Sequence, residues 1–324
     1  MERRNAVLLR FLVVALVVFV AGCASQPGTT TTTSIPDGES HEFTHADITG
    51  GMYVANGEDI VQKAKDSGAV WEEVRITLEE FKFNPKEIVL EAGKPYKLVF
   101  ENTGKVKHEF AAVDFFRSAA FRKAEDKYGE IKAPFPTEVE VFAGEDVEIF
   151  LIPLIPGTYD LLCEIEGHRE AGMSGTIKEV GKTPKSVVLA DMSKGNWVQN
   201  GEELVKSAKD AKKEWKTIRI DMSDFRFDPK GITLKKGEPY KIELVNSGEE
   251  KHEFSADEFF GTAALRKVDD GSVEFKSVRL DEVEVLIGKQ IDIYLIPTKI
   301  GTFGMECALP GHKEKGMSGT ITVE

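Results

Sequence analysis

The chain has 324 residues, 30% of them charged and 41% hydrophobic, with a formal net charge of −13 at pH 7. The length suits two ordinary domains, and the composition suits soluble globular material. The acid excess repels nucleic acid and anionic lipid headgroups, so no nucleic-acid partner is expected and a charged partner should be basic.

The chain opens MERRNAVLLRFLVVALVVFVAGCAS. Arg3, Arg4 and Arg10 form a basic start. Phe11 to Ala21 is an unbroken apolar run, short for a bilayer span but the right size for a signal-peptide core. Val20-Ala21-Gly22-Cys23 resembles the lipobox of bacterial lipoproteins, in which the cysteine is lipidated and becomes the new N-terminus. The resemblance implies a signal peptide at 1–22, lipidation of Cys23, and an exported protein anchored to a membrane facing the periplasm or cell exterior. The alternative is an uncleaved anchor with an incidental cysteine. Residues 23–45 are Thr-rich and polar with nothing to bury, which reads as a tether. His41 and His45, within this stretch, read as a solvated pair.

A helix is expected next. Asn56 stands at the N-cap, Glu58 and Asp59 in the first turn, and Ile60, Val61 and Ala64 on one face. Asn200, Glu202, Glu203, Leu204, Val205 and Ala208 repeat the pattern. Period-2 alternation follows through Val74, Ile76 and Leu78, then Tyr96, Leu98 and Phe100, then Val139 and Val141, then Val147, Ile149 and Leu151. Pro85, Gly93, Gly144, Pro153, Pro156 and Gly157 punctuate these runs. Short strands with regular turn signals predict an all-β chain of sandwich domains. Residues 114–122, DFFRSAAFR, break the alternation and read as a helical insertion, as do 258–266.

The second half repeats the first at a constant offset of 144 residues. Trp71 and Trp215, Phe81 and Phe225, Phe83 and Phe227, Pro85 and Pro229 all keep it. A period this long marks a duplicated domain and not a solenoid. The expected boundaries are 46–180 for domain 1, 181–189 for a linker, and 190–324 for domain 2.

Each unit carries an upstream histidine and a C-x4-H-x4-M run: His108, Cys163, His168 and Met173 in the first, His252, Cys307, His312 and Met317 in the second. A thiolate, two imidazoles and a weak thioether form the donor set of a type 1 copper site. Isolated His, Met or Cys residues usually serve packing. Here both cysteines beyond Cys23 and four of the six histidines fall in the motif. Equivalent positions in two repeats argue against a Cys163–Cys307 disulfide.

Each repeat resembles a cupredoxin. The C-x4-H-x4-M spacing, with glycine before the second His and before Met, is most similar to the rusticyanin and auracyanin branch. NTGKVKHEF and NSGEEKHEF are similar to the strand that delivers the family's first histidine. The resemblance implies two tandem Greek-key sandwiches and two type 1 copper ions per chain. It further implies one-electron exchange through the downstream histidine, here His168 and His312, with a c-type cytochrome or a respiratory complex as partner. Glu109 and Glu253 stand where many relatives carry an amide or hydroxyl residue, which puts part of the family's hydrogen bonding to sulfur in doubt. Carboxylates at Glu164 and Glu166 predict the lower reduction potential at the first site.

No His-x-His pair occurs, and no histidine flanks Cys163 or Cys307. Type 2 and trinuclear copper centres need such ligands. The sequence is therefore read as an electron carrier and not an enzyme. Copper storage, delivery or sensing is the alternative, disfavoured because the seven methionines do not cluster.

Overall fold

The computed structural model describes residues 43–324. The expected signal peptide, Cys23, His41 and the expected tether up to residue 42 lie outside the described residues. Among the described residues, no helix is long and apolar enough to cross a membrane.

Both repeats fold as two-layer β-sandwiches. In the first repeat, one layer runs Lys82–Asn84, Glu72–Glu79, Tyr96–Asn102, Asp146–Pro153, Ala119–Glu125 and Gly129–Lys132. The other runs Glu87–Glu91, Ser174–Val180, Gly157–Leu162, His108–Ala111 and Pro136–Val141. Most neighbours are antiparallel; Glu72–Glu79 beside Tyr96–Asn102 and Ser174–Val180 beside Glu87–Glu91 are parallel. The alternating apolar residues face inward, so Ile76, Leu78, Leu98 and Phe100 oppose Phe110, Val139, Val141 and Ile177, all buried. The Phe100 and Phe110 rings stack at 3.6 Å between centroids, bridging the layers. Each such side chain contributes about 1.5–3 kcal/mol by leaving water.

Neither sandwich is closed by its own strands. Gly129–Lys132 pairs with Glu282–Val285 of the second repeat, and Pro136–Val141 pairs with Val273–Ser277. Under the 144-residue offset these two junctions are the same contact made twice, as in an isologous dimer interface. The result is two 11-stranded sheets, each running through both repeats. The pairing covers four strands that would otherwise present unpaired N–H and C=O groups.

Helices Gly57–Asp66 and Gly201–Asp210 form as expected. Asn56, however, does not cap its helix with its side chain. Its Nδ2 donates to the Ser186 carbonyl at 2.7 Å and its Oδ1 accepts from Val188 N–H at 2.9 Å. It thus clamps the segment between the repeats. That segment ends in Leu189–Asp191, paired with Met52–Val54, and buries Val187 and Leu189.

Two local expectations need correction. Helix in 114–122 stops at Ser118, and Ala119–Glu125 is a strand. Likewise Asp257–Phe260 is a single helical turn before strand Ala263–Asp269. Ala119, Ala120 and Phe121 are buried in succession, because helix Gly57–Asp66 packs on the outer face of that strand. A strand covered on both faces loses its alternation and cannot be told from helix by period. His45 is also not a solvated linker residue. It is half-buried, begins the helix His45–Thr49 and meets the Tyr159 ring edge-on at 4.7 Å.

Candidate metal centres

His108 begins strand His108–Ala111, and Cys163 directly follows Gly157–Leu162. The two strands meet where Leu162 pairs with Ala111. The eleven-residue run after that strand closes on itself through its backbone. Cys163 N–H donates to the Met173 carbonyl at 3.2 Å, and Met173 N–H to the His168 carbonyl at 3.0 Å. His168 N–H donates to the Ile165 carbonyl at 3.0 Å. Gly167 and Gly172 have φ of 84° and 107°, a region open to glycine at little cost. They are the glycines that precede His168 and Met173, so each turn delivers a side chain inward. The second loop repeats every feature, with Gly311 at 83° and Gly316 at 109°.

The donor atoms converge. In the first repeat, His108 Nδ1 lies 3.3 Å from His168 Nδ1, which lies 3.4 Å from Cys163 Sγ. In the second, His252 Nδ1 lies 3.3 Å from His312 Nδ1, and that atom 3.4 Å from Cys307 Sγ. Each trio of ligand atoms falls within 4.8 Å. Met173 and Met317 are fully buried beneath the same loops. Both cysteines are free and buried, each in its own centre. Burial and the neighbouring ring hold His108 and His252 below the usual imidazole range, so both are neutral at pH 7. Burial pushes both thiols up, against backbone hydrogen bonds that favour the thiolate. Two imidazoles and a thiol aimed at one point, with both rings presenting Nδ1, suit a soft cation that would displace the thiol proton.

Residues outside the motif hold this geometry. Asn102 Nδ2 donates to the carbonyls of Val106 and Val141 at 2.9 and 2.8 Å, and its Oδ1 accepts from Gly104 N–H at 2.9 Å. This pins the turn that presents His108. Asn246 does the same before His252. A Cβ on Gly104 would fall 2.8 Å from His108 Nε2, and one on Gly248 2.9 Å from His252 Nε2. Phe81 and Phe225, both at positive φ, set ring edges against His168 and His312 at 5.1 and 4.8 Å. These residues were visible as repeated positions, but repetition alone does not separate a site residue from core.

Glu109 and Glu253 occupy the doubtful position after the first histidine. Their backbone N–H groups donate to Cys163 Sγ at 3.4 Å and Cys307 Sγ at 3.3 Å. The sulfur is therefore hydrogen-bonded whatever the side chain. Burial raises Glu109 to about 7 and Glu253 to about 8.

The centres differ most at the downstream histidine. His168 is half-buried, while His312 is only 6% exposed. His312 Nε2 lies 3.2 Å from Glu250 Oε2. The position equivalent to Glu250 is Val106, which is exposed. The carboxylate count around the loops thus missed one that touches the second centre directly.

A cupredoxin-like domain model matches residues 60–177 and 203–323. The chain is 35% identical over 119 residues to the copper-resistant cuproprotein CopI of Rubrivivax gelatinosus, covering 35% of this chain and 70% of that one. Among solved structures it is similar to auracyanin B, at 16% identity and a TM-score of 0.25, over 34% of this chain and 88% of that one. It is also similar to a copper-containing nitrite reductase from Thermus scotoductus SA-01, at 13% identity and a TM-score of 0.29. That match covers 79% of this chain and 62% of the reductase, so the chain spans less than two thirds of it. Multicopper oxidases align over similar shares of this chain. The expectation of a non-enzyme is corrected to this extent: the solved structures the chain is similar to include enzymes, a nitrite reductase and multicopper oxidases. With its two matched segments covering most of the sequence, the chain belongs to the cupredoxin-like family.

Proposed function

We propose that this copper-binding, cupredoxin-like protein is a membrane-tethered electron-transfer protein with two type 1 copper sites. The observation that supports it best is the twofold convergence of two Nδ1 atoms and a thiol in loops closed by their own backbone. Copper bound there supplies a one-electron couple. His108, Cys163, His168 and Met173 would hold it in the first repeat, and His252, Cys307, His312 and Met317 in the second. The backbone N–H groups of Glu109 and Glu253 stabilise the thiolates. The Asn102 and Asn246 brackets fix the upstream rings, and fixed rings keep rearrangement between oxidation states small. His168, the more accessible downstream ring, is the better candidate for exchange with a partner. The acidic surface suits a basic partner such as a c-type cytochrome, or a respiratory complex, and Cys23 would carry the lipid.

The test is a visible and EPR spectrum of the oxidised chain with copper counted by elemental analysis. An intense thiolate-to-copper band, narrow hyperfine splitting and about two coppers per chain are expected. A colourless protein under copper loading would overturn the reading. Likeness to a copper-resistant cuproprotein favours a second reading, copper storage, delivery or sensing. Rapid loss of copper to a chelator would select it over electron transfer.

A further inference from the structure

Beside the first centre lies a second cluster that the electron-transfer reading does not use. Carboxylate oxygens of Glu109, Glu138 and Glu164 lie within 4.8 Å of one another. Glu109 is 4% exposed, and its Oε1 is buried with no hydrogen-bond partner. An unpartnered buried carboxylate oxygen is costly, and it points to a ligand that the protein itself does not supply. Glu164 is exposed, which leaves an approach from solvent.

The second repeat supplies an internal comparison. There the equivalent positions are Glu253, Glu282 and Ala308. Lys132, from the first repeat, pairs with Glu282 and stands 4.0 Å from Glu253 Oε1. Lys132 thus meets both of these carboxylates, and Glu130 at 3.4 Å as well, and no Glu253 oxygen is buried without a partner among the described residues. In the first repeat the equivalent lysine, Lys276, pairs with Glu138. Lys276 also acts on Glu109, and Glu164 adds a third carboxylate to the two that this lysine meets. Lys276 Nζ also lies 3.5 Å from Glu140 Oε1 and 3.7 Å from Glu274 Oε1. It can therefore yield Glu138 to a cation and keep two carboxylate neighbours.

We propose that Glu109, Glu138 and Glu164 form a binding site for a divalent cation, present in the first repeat only. Three carboxylates and open coordination positions are hard oxygen donors, the set that suits Mn2+, Mg2+ or Ca2+ and not the soft cation of the Cys-His centres. Glu109 follows His108 and Glu164 follows Cys163, so a cation held there is one residue from two donors of the first centre. It adds positive charge beside that centre and none beside the second.

Mn2+ is the probe. It is titrated into the full, copper-loaded chain reduced with ascorbate, where Cu(I) is silent and free Mn2+ is read by EPR. The wild-type chain should remove one equivalent of free signal. Glu164→Ala should weaken binding about tenfold or more, and Glu109→Gln should do the same with the charge removed but the shape kept. Glu164 is exposed, so its loss leaves the core intact. A wild-type chain that leaves all Mn2+ free, or a Glu164→Ala chain that binds as tightly as wild type, would overturn the proposal. Copper uptake is counted in the same samples, so failure of the copper reading and failure of this site are read separately.

Discussion

Asp126 and Asp270 are equivalent residues of the two repeats, and they face each other where the repeats join. Asp126 Oδ1 accepts from the N–H groups of Tyr128 and Gly129 at 2.7 and 3.3 Å. Asp270 Oδ1 accepts from Ser272 and Val273 N–H at 2.7 and 2.8 Å. Asp126 Oδ2 is buried and finds no partner unless one of the two carboxyls carries a proton. Burial, then the charge of Asp126, push Asp270 from its ordinary 3.8 up to about 7, and burial raises Asp126 too. Lys127 beside Asp126 opposes the effect, and Asp269 beside Asp270 adds to it. The folded chain therefore holds a proton that the unfolded chain releases. This contribution is fully present below the unfolded carboxyl range and is lost as pH rises through about 7. At about 1.4 kcal/mol per pH unit, the rise corresponds to at most about 4 kcal/mol, and solvent at the junction reduces it to about 2 kcal/mol. Asp270→Asn keeps an oxygen for the two backbone donors and offers its amide to Asp126 Oδ2. Urea unfolding of both chains from pH 5 to pH 9 should show the wild type losing stability relative to the variant as pH rises. The variant should be the more stable by about 2 kcal/mol at pH 9. A constant difference across that range, or a variant less stable at pH 9, would refute the shared-proton account.

Gly129→Ala would set a methyl 1.9 Å from the Glu284 carbonyl of the second repeat, so the strands must part. A loss of about 1–3 kcal/mol in urea unfolding is expected, and an unchanged midpoint would contradict the junction. Glu250→Gln removes the carboxylate beside His312 Nε2 and should raise the reduction potential of the second centre only. Glu250 is exposed, so the shift should be small and shrink with salt. Potentiometry in Cys163→Ser and Cys307→Ser backgrounds separates the centres; an equal shift in both would sink the assignment. This carboxylate also bears on the expectation that the first site has the lower potential, because the sequence comparison behind it counted only residues within the loops.

The centres were legible because their determinants are local. Cysteine, histidine and methionine in one short loop, with glycine before two of them, specify turns whose hydrogen bonds close within that loop. The upstream histidines were legible through the constant offset. Glu250 was not, because it reaches His312 from a turn far upstream and only the folded sandwich brings them together. The helix expected through residue 122 failed for a related reason. Burial of Ala119, Ala120 and Phe121 on both faces depends on the helix packed outside them, and period alone carries no record of that cover.

The sequence by itself determined the duplication, the two-layer sandwich and the order of the donors, since each is written in residue type and spacing. Tertiary structure alone decided that the repeats share their sheets. A strand's hydrogen-bonding edge is backbone, the same for every residue, so Gly129–Lys132 carries no sign that its partner is Glu282–Val285. It also decided that Asp126 meets Asp270 and that Lys276 and Lys132 reach across into the opposite repeat. Those contacts exist because the isologous junction brings each repeat's own residues onto their counterparts, a geometry that no spacing along one chain encodes.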